Sequence, residues 1–264
     1  MNRETAVPGT FYPNSCNEIN QHINHFTEIL KNSDFDFTLD FKPKAIIVPH
    51  AGYVYSGFTA NVAYTQLKNL TPKRVVVIGP SHKFSFKGAS VALFDEYISP
   101  CKNMSIDKEY SLNLIDEFDF LDFKKDVHIE HSTETQIPFI NHYLPKTKIV
   151  EIVYSDVSYQ QIAQIVSKVL NDDESFLIIS TDLSHFHNLQ KANELDNIGL
   201  MAVDKLDLDI WNSGCEACGR TGVKALIKSA NELNLQSRLL DYRTSYDVSN
   251  DDTSVVGYMS AVLG

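Results

Sequence analysis

A histidine lies just past the end of each of three apolar, β-branched runs of this sequence, the first two with glycine or proline close by: Pro49-His50-Ala51-Gly52-Tyr53, Gly79-Pro80-Ser81-His82 and Thr181-Asp182-Leu183-Ser184-His185. A fourth histidine opens His131-Ser132-Thr133-Glu134. Neutral imidazole nitrogen and anionic carboxylate oxygen match borderline divalent ions. Two or three such histidines with a carboxylate and open positions therefore suit Zn2+ or non-haem Fe2+. An imidazole left uncoordinated exchanges protons near neutral pH, and Asp182, three residues before His185, is placed to hold an imidazole in one tautomer. Taken singly, each histidine reads as a hydrogen-bonded loop residue; recurrence at corresponding positions is what favours a site. No HExxH spacing occurs, so spacing alone names no metal.

Other motifs carry less. Cys215-Glu216-Ala217-Cys218 has redox spacing but follows a helical pattern rather than a strand, and no second CxxC accompanies it, so ordinary thiols are the reading. All four cysteines, Cys16, Cys101, Cys215 and Cys218, are expected to be free. Neither GxGxxG nor GxxxxGK[ST] appears, which leaves nucleotide binding without support, and the absence of GxSxG weighs against a serine hydrolase. Phe11, Tyr12, Tyr53 and Tyr55 either line a crevice or pack in the core.

The elements that must position the histidines alternate. Ser15-Cys16-Asn17-Glu18 forms a capping box opening a helix to about residue 31, and Ser56 is expected to cap a second helix reaching about residue 70. Runs at 44–48, 74–78, 148–153 and 175–180 are continuous and apolar, as strands buried on both faces require. Helices are predicted near 158–170, 189–206 and 219–233, and strands at 237–245 and 254–262 close the chain. This alternation predicts an α/β fold, a three-layer α/β/α domain over residues 1–264 with a central, mainly parallel, mixed sheet. In open sheets of this kind ligands bind beyond the carboxyl ends of the strands, where the histidines lie.

The 264 residues carry 23 Lys+Arg against 34 Asp+Glu, a net charge of −11, so the counterion release on which nucleic-acid binding depends has no basic face to drive it. A hydrophobic fraction of 43% is that of a folded protein with a large core. The N-terminal residues do not read as a signal peptide and no run approaches a membrane span, so a cytoplasmic protein without a membrane partner is expected.

End to end, the sequence resembles the Memo family, also described as protein B of the AmmeMemoRadiSam system. The resemblance rests on Ala6-Val7-Pro8-Gly9-Thr10-Phe11-Tyr12-Pro13, Val48 to Gly57, Gly79-Pro80-Ser81-His82, His131-Ser132-Thr133-Glu134, Ser180 to His185, Cys218-Gly219-Arg220 and Ser254-Val255-Val256-Gly257-Tyr258. It implies a fold similar to the catalytic subunit of class III extradiol dioxygenases, with His50 and His82 as metal ligands and His185 as the acid/base. Animal members carry a cysteine near the C-terminal strand, where this sequence has Tyr246-Asp247-Val248. Asp247 is either the third ligand, completing two histidines and a carboxylate, or a turn residue. An aspartate favours Fe2+ or Zn2+ over copper. The resemblance further implies a small molecule or peptide in the cleft and cooperation with radical-SAM system proteins. A non-enzymatic peptide- or partner-binding module is the alternative to a dioxygenase-like oxidoreductase.

Overall fold

A computed structural model describes residues 1–33 and 38–264. Its strands are β1 Ala45–Val48, β2 Arg74–Pro80, β3 Ala89–Val91, β4 Glu96–Tyr97, β5 Met104–Ser105, β6 Leu121–Asp122, β7 Lys148–Tyr154, β8 Ser175–Ser180, β9 His185–His187, β10 Ser237–Thr244 and β11 Val255–Leu263. The helices are α1 Cys16–Lys31, α2 Tyr53–Thr65, α3 Lys108–Glu117, α4 His131–Glu134, α5 Ile137–Tyr143, α6 Tyr159–Leu170, α7 Leu189–Asp204, α8 Leu208–Asn212, α9 Arg220–Glu232 and α10 Tyr246–Ser249. Among these, no helix is long and apolar enough to cross a membrane.

The main sheet runs β10-β11-β1-β8-β2-β7-β3-β6, with β9 paired to β11. Its centre, β1-β8-β2-β7, is parallel, and β10 and β11 join it antiparallel. The period of two along a strand explains the layers. Ile47, Val76, Ile78, Ile152 and Ile179 face α6, α7 and α9, whereas Ile46, Val48, Val75, Val77 and Ile178 face α1, α2 and α5. Each of these strand side chains is fully buried and contributes about 1.5–3 kcal/mol. The fold is therefore the three-layer α/β/α arrangement with a mixed, mainly parallel sheet that the alternating pattern predicts.

Three local expectations are corrected. Ser15 accepts from the Glu18 backbone N–H, as the capping box requires, but the box with both arms is Ser158 and Gln161 at α6. Ser56 does not cap α2: Gly52 precedes its first turn, and the Ser56 hydroxyl donates back to the Ala51 carbonyl from inside the helix. Cys16 and Cys101 are not free thiols but a disulfide, their Cα atoms 4.5 Å apart across 85 residues. Packing of the α1 N-terminus beside the β4–β5 hairpin brings them together, a proximity that local sequence pattern does not encode.

Candidate metal centre

In the sheet β8 lies between β1 and β2. The chain leaves all three parallel strands at the same end, so Pro49-His50, Thr181-Asp182 and Ser81-His82 emerge side by side. The His50 and His82 ring centroids are 5.2 Å apart. The short helix α4 adds His131, 4.4 Å from His82 and 5.4 Å from His50. Its close approach depends on Gly79, since a Cβ there would lie 2.7 Å from Ser132 Oγ. That hydroxyl instead donates to the Pro80 carbonyl at 2.7 Å.

Hydrogen bonding sets the tautomer of His50. The Ser180 hydroxyl donates to the Ser132 carbonyl at 2.5 Å and accepts from Gln136 Nε2 at 3.0 Å, so toward His50 Nδ1, 2.9 Å away, it acts as an acceptor. His50 consequently carries its proton on Nδ1. Its Nε2 lone pair faces Cys218 Sγ at 3.2 Å. Burial, then the neighbouring His82 and His131, hold His50 well below the ordinary histidine range, which keeps the ring neutral. Burial and the nearby Asp182 push the Cys218 thiol up to about 12. Asp182 Oδ1 accepts the His50 backbone N–H at 2.8 Å, and burial raises its carboxyl above the ordinary range.

Glu130 is fully buried beneath the other two rings. Its Oε2 accepts the His82 backbone N–H at 2.7 Å, while Oε1 lies 2.9 Å from His82 Nδ1 and 3.0 Å from His131 Nδ1 and accepts the Ser132 N–H at 3.1 Å. Burial opposes ionisation of Glu130, but the hydrogen bonds from His131 and His82 outweigh it and hold the carboxyl far below its usual range. At the start of β9, His185 Nδ1 donates to the Leu183 carbonyl at 2.8 Å, which leaves Nε2 as its basic atom. His185 lines a cavity of about 300 Å3 with Cys215, Glu216 and Arg220.

The profile of the family described as Memo-like protein matches residues 3–262. A MEMO1 family protein of Methanobrevibacter smithii is 33% identical over the full length of both chains. One of Aquifex aeolicus is 31% identical over 99% of this chain and 98% of its own. The chain belongs to the Memo family.

In this Memo-family protein the ligating atoms of His50, His82 and Cys218 all lie within 4.8 Å of one another, as do those of His82, Glu130 and His131. Two imidazoles and a thiol are a chemically coherent set of donors for a first-row transition metal. Cys218 reaches His50 because the Asp182 N–H donates to its sulfur at 3.2 Å and the Gly219 N–H to Thr181 Oγ1 at 2.9 Å, tying the start of α9 to the end of β8. Reading Cys215 and Cys218 as a pair of ordinary thiols misses this. The signal available was Cys218-Gly219-Arg220, one of the motifs that carry the Memo resemblance.

Asp247 is exposed, and its Oδ2 accepts from Thr244 N at 2.8 Å and Thr244 Oγ1 at 3.3 Å, closing the turn after β10. It belongs to neither group of candidate ligands. Asp182, expected to orient an imidazole, bonds to the main chain of His50, while His185 is oriented by a carbonyl. The aromatics divide as well: Tyr12 and Tyr53 are buried, whereas the Phe11 ring packs 4.7 Å from His131 at the cleft.

Proposed function

We propose that this Memo-family protein is a metal-dependent oxidoreductase of non-haem-iron, dioxygenase-like type, in which His50, His82 and Cys218 hold the ion and His185 moves a proton. The observation that carries this reading is the approach of three ligating atoms to within 4.8 Å from β1, β2 and the start of α9. Bound Fe2+ with three protein donors would supply open positions for a small organic substrate and dioxygen.

The chain's own residues account for the remaining roles. Ser180 keeps the lone pair of His50 on Nε2, turned to the ion. Asp182 anchors the His50 main chain. His185, whose basic atom is Nε2, lines a cavity with Cys215, Glu216 and Arg220 and there takes or returns a substrate proton. A thiolate donor is softer than the carboxylate expected from Asp247, so Zn2+ and copper compete with iron more closely than an aspartate centre would allow.

Elemental analysis of anaerobically purified protein, followed by dioxygen-uptake assays with a catechol panel, tests the reading. Near-stoichiometric iron in the wild type, lost in the His50→Ala/His82→Ala double variant, is expected. His185→Ala should retain the metal and lose turnover. Metal loss in His185→Ala would make that residue a ligand. A wild type that takes up no metal under reducing conditions would overturn the proposal and leave peptide or partner binding as the use of the cleft.

A further inference from the structure

We propose that Glu130 is a positioning residue that fixes His82 and His131 together as Nδ1–H tautomers and so presents the Nε2 lone pair of each to the cleft. The carboxylate faces four nitrogens and no other group of the centre: His82 N, His82 Nδ1, His131 Nδ1 and Ser132 N. The two backbone nitrogens are donors by constitution. An oxygen lone pair attracts an imidazole nitrogen only if that nitrogen carries hydrogen, so both ring nitrogens facing Glu130 are N–H. Each ring then has one basic atom left, on the side away from the carboxylate.

Two further features make this an orienting device rather than a chance contact. Glu130 grips His82 by backbone and ring at once, which fixes where the ring points as well as which nitrogen is protonated. Glu130 is itself held, because Arg3 Nη2 donates to its carbonyl at 3.1 Å and the Arg3 guanidinium pairs with Glu134 one turn along at 2.5 Å. His50 is an internal control, since its tautomer depends on Ser180 and not on Glu130. The effect on metal affinity rests on the reading of the cleft as a metal centre, whereas the tautomers are a property of the protein without metal.

The test combines long-range 1H–15N correlation spectra of metal-free protein, with His82→Ala and His131→Ala to assign the rings, and anaerobic Co2+ titration against a competing chelator. In the wild type both rings should be Nδ1–H with Nε2 unprotonated. Both rings share the one oxygen Oε1, so a single amide oxygen could still serve them; Glu130→Ala removes the acceptor altogether, and at least one of the two rings should then leave the Nδ1–H form while His50 does not. Co2+ affinity should fall about 10- to 100-fold, the usual cost of losing an outer-sphere partner.

An Nε2–H form of either ring in the wild type would overturn the proposal, as would Glu130→Ala spectra unchanged at both rings. Changed tautomers with unchanged Co2+ affinity would overturn the positioning role. Wild-type protein that binds no Co2+ yet shows both Nδ1–H rings would defeat the metal-centre reading and leave the assignment of Glu130 intact. Should Glu130→Ala fail to fold, the wild-type spectrum alone decides the tautomers.

Discussion

The sulfur of Cys218 lies 3.2 Å from Nε2 of His50, across 168 residues of chain. Parallel pairing of β1 with β8 and the docking of Gly219 on Thr181 produce this approach. Cys218→Ala is expected to weaken metal binding at least tenfold in an anaerobic chelator-competition titration, whereas Asp247→Asn leaves it unchanged. The opposite pattern would restore the carboxylate as third donor and remove the thiol from the centre.

Glu134 collects four donors in the interior: Arg3 Nη1, the Ala6 and Val7 backbone N–H groups, and the Tyr12 hydroxyl at 2.9 Å. It ties the N-terminal segment beneath α4 and therefore beneath His131. Removing it strands a fully buried guanidinium. Glu134→Ala should lower stability by about 3–5 kcal/mol in urea unfolding, and a loss under 1 kcal/mol would show that water or a rearranged Arg3 takes over.

Acid sensitivity has a defined source at the opposite end of the sheet. Burial opposes ionisation of Asp172, but bonds from Ser175 Oγ at 2.6 Å, Glu174 N at 3.0 Å and Arg74 Nη1 at 2.6 Å outweigh it and lower its pKa. A carboxyl with a lowered native pKa stabilises the fold above its ordinary value and loses that contribution as pH falls through the native one. Asp172→Asn should therefore cost about 1–2 kcal/mol at pH 7, and its difference from the wild type should narrow as pH drops below about 4. A difference that stays constant from pH 7 to 3 would rule out the charge as the cause.

The Cys16–Cys101 disulfide closes a loop of 85 residues. Chain-entropy reasoning assigns such a cross-link about 2–4 kcal/mol, acting mainly on the unfolded chain. Reduction, or the Cys16→Ser/Cys101→Ser variant, should lower the thermal midpoint by roughly 4–12 °C for a domain this size. An unchanged midpoint would mean that the folded interface holds the two segments without the bond.

The layers and the end of the sheet that bears the site were legible in the residue pattern, because strands buried on both faces must be continuously apolar and the chain must turn polar where each one stops. That is why the runs ending at Val48, Ile78 and Ser180 could be read, and why His50, His82 and His185 stood out. Which loops become neighbours depends on strand order. Only the sequence β1-β8-β2 brings His50 beside His82 and lets α9 deliver Cys218. Local periodicity carries no information about contacts between residues distant in the chain, so the approach of Cys218 to His50, of Glu130 to His82 and of Cys16 to Cys101, across 168, 48 and 85 positions, became visible only through packing. For Asp247, open in the sequence between third ligand and turn residue, the structure shows Oδ2 accepting from Thr244 in the turn that closes β10.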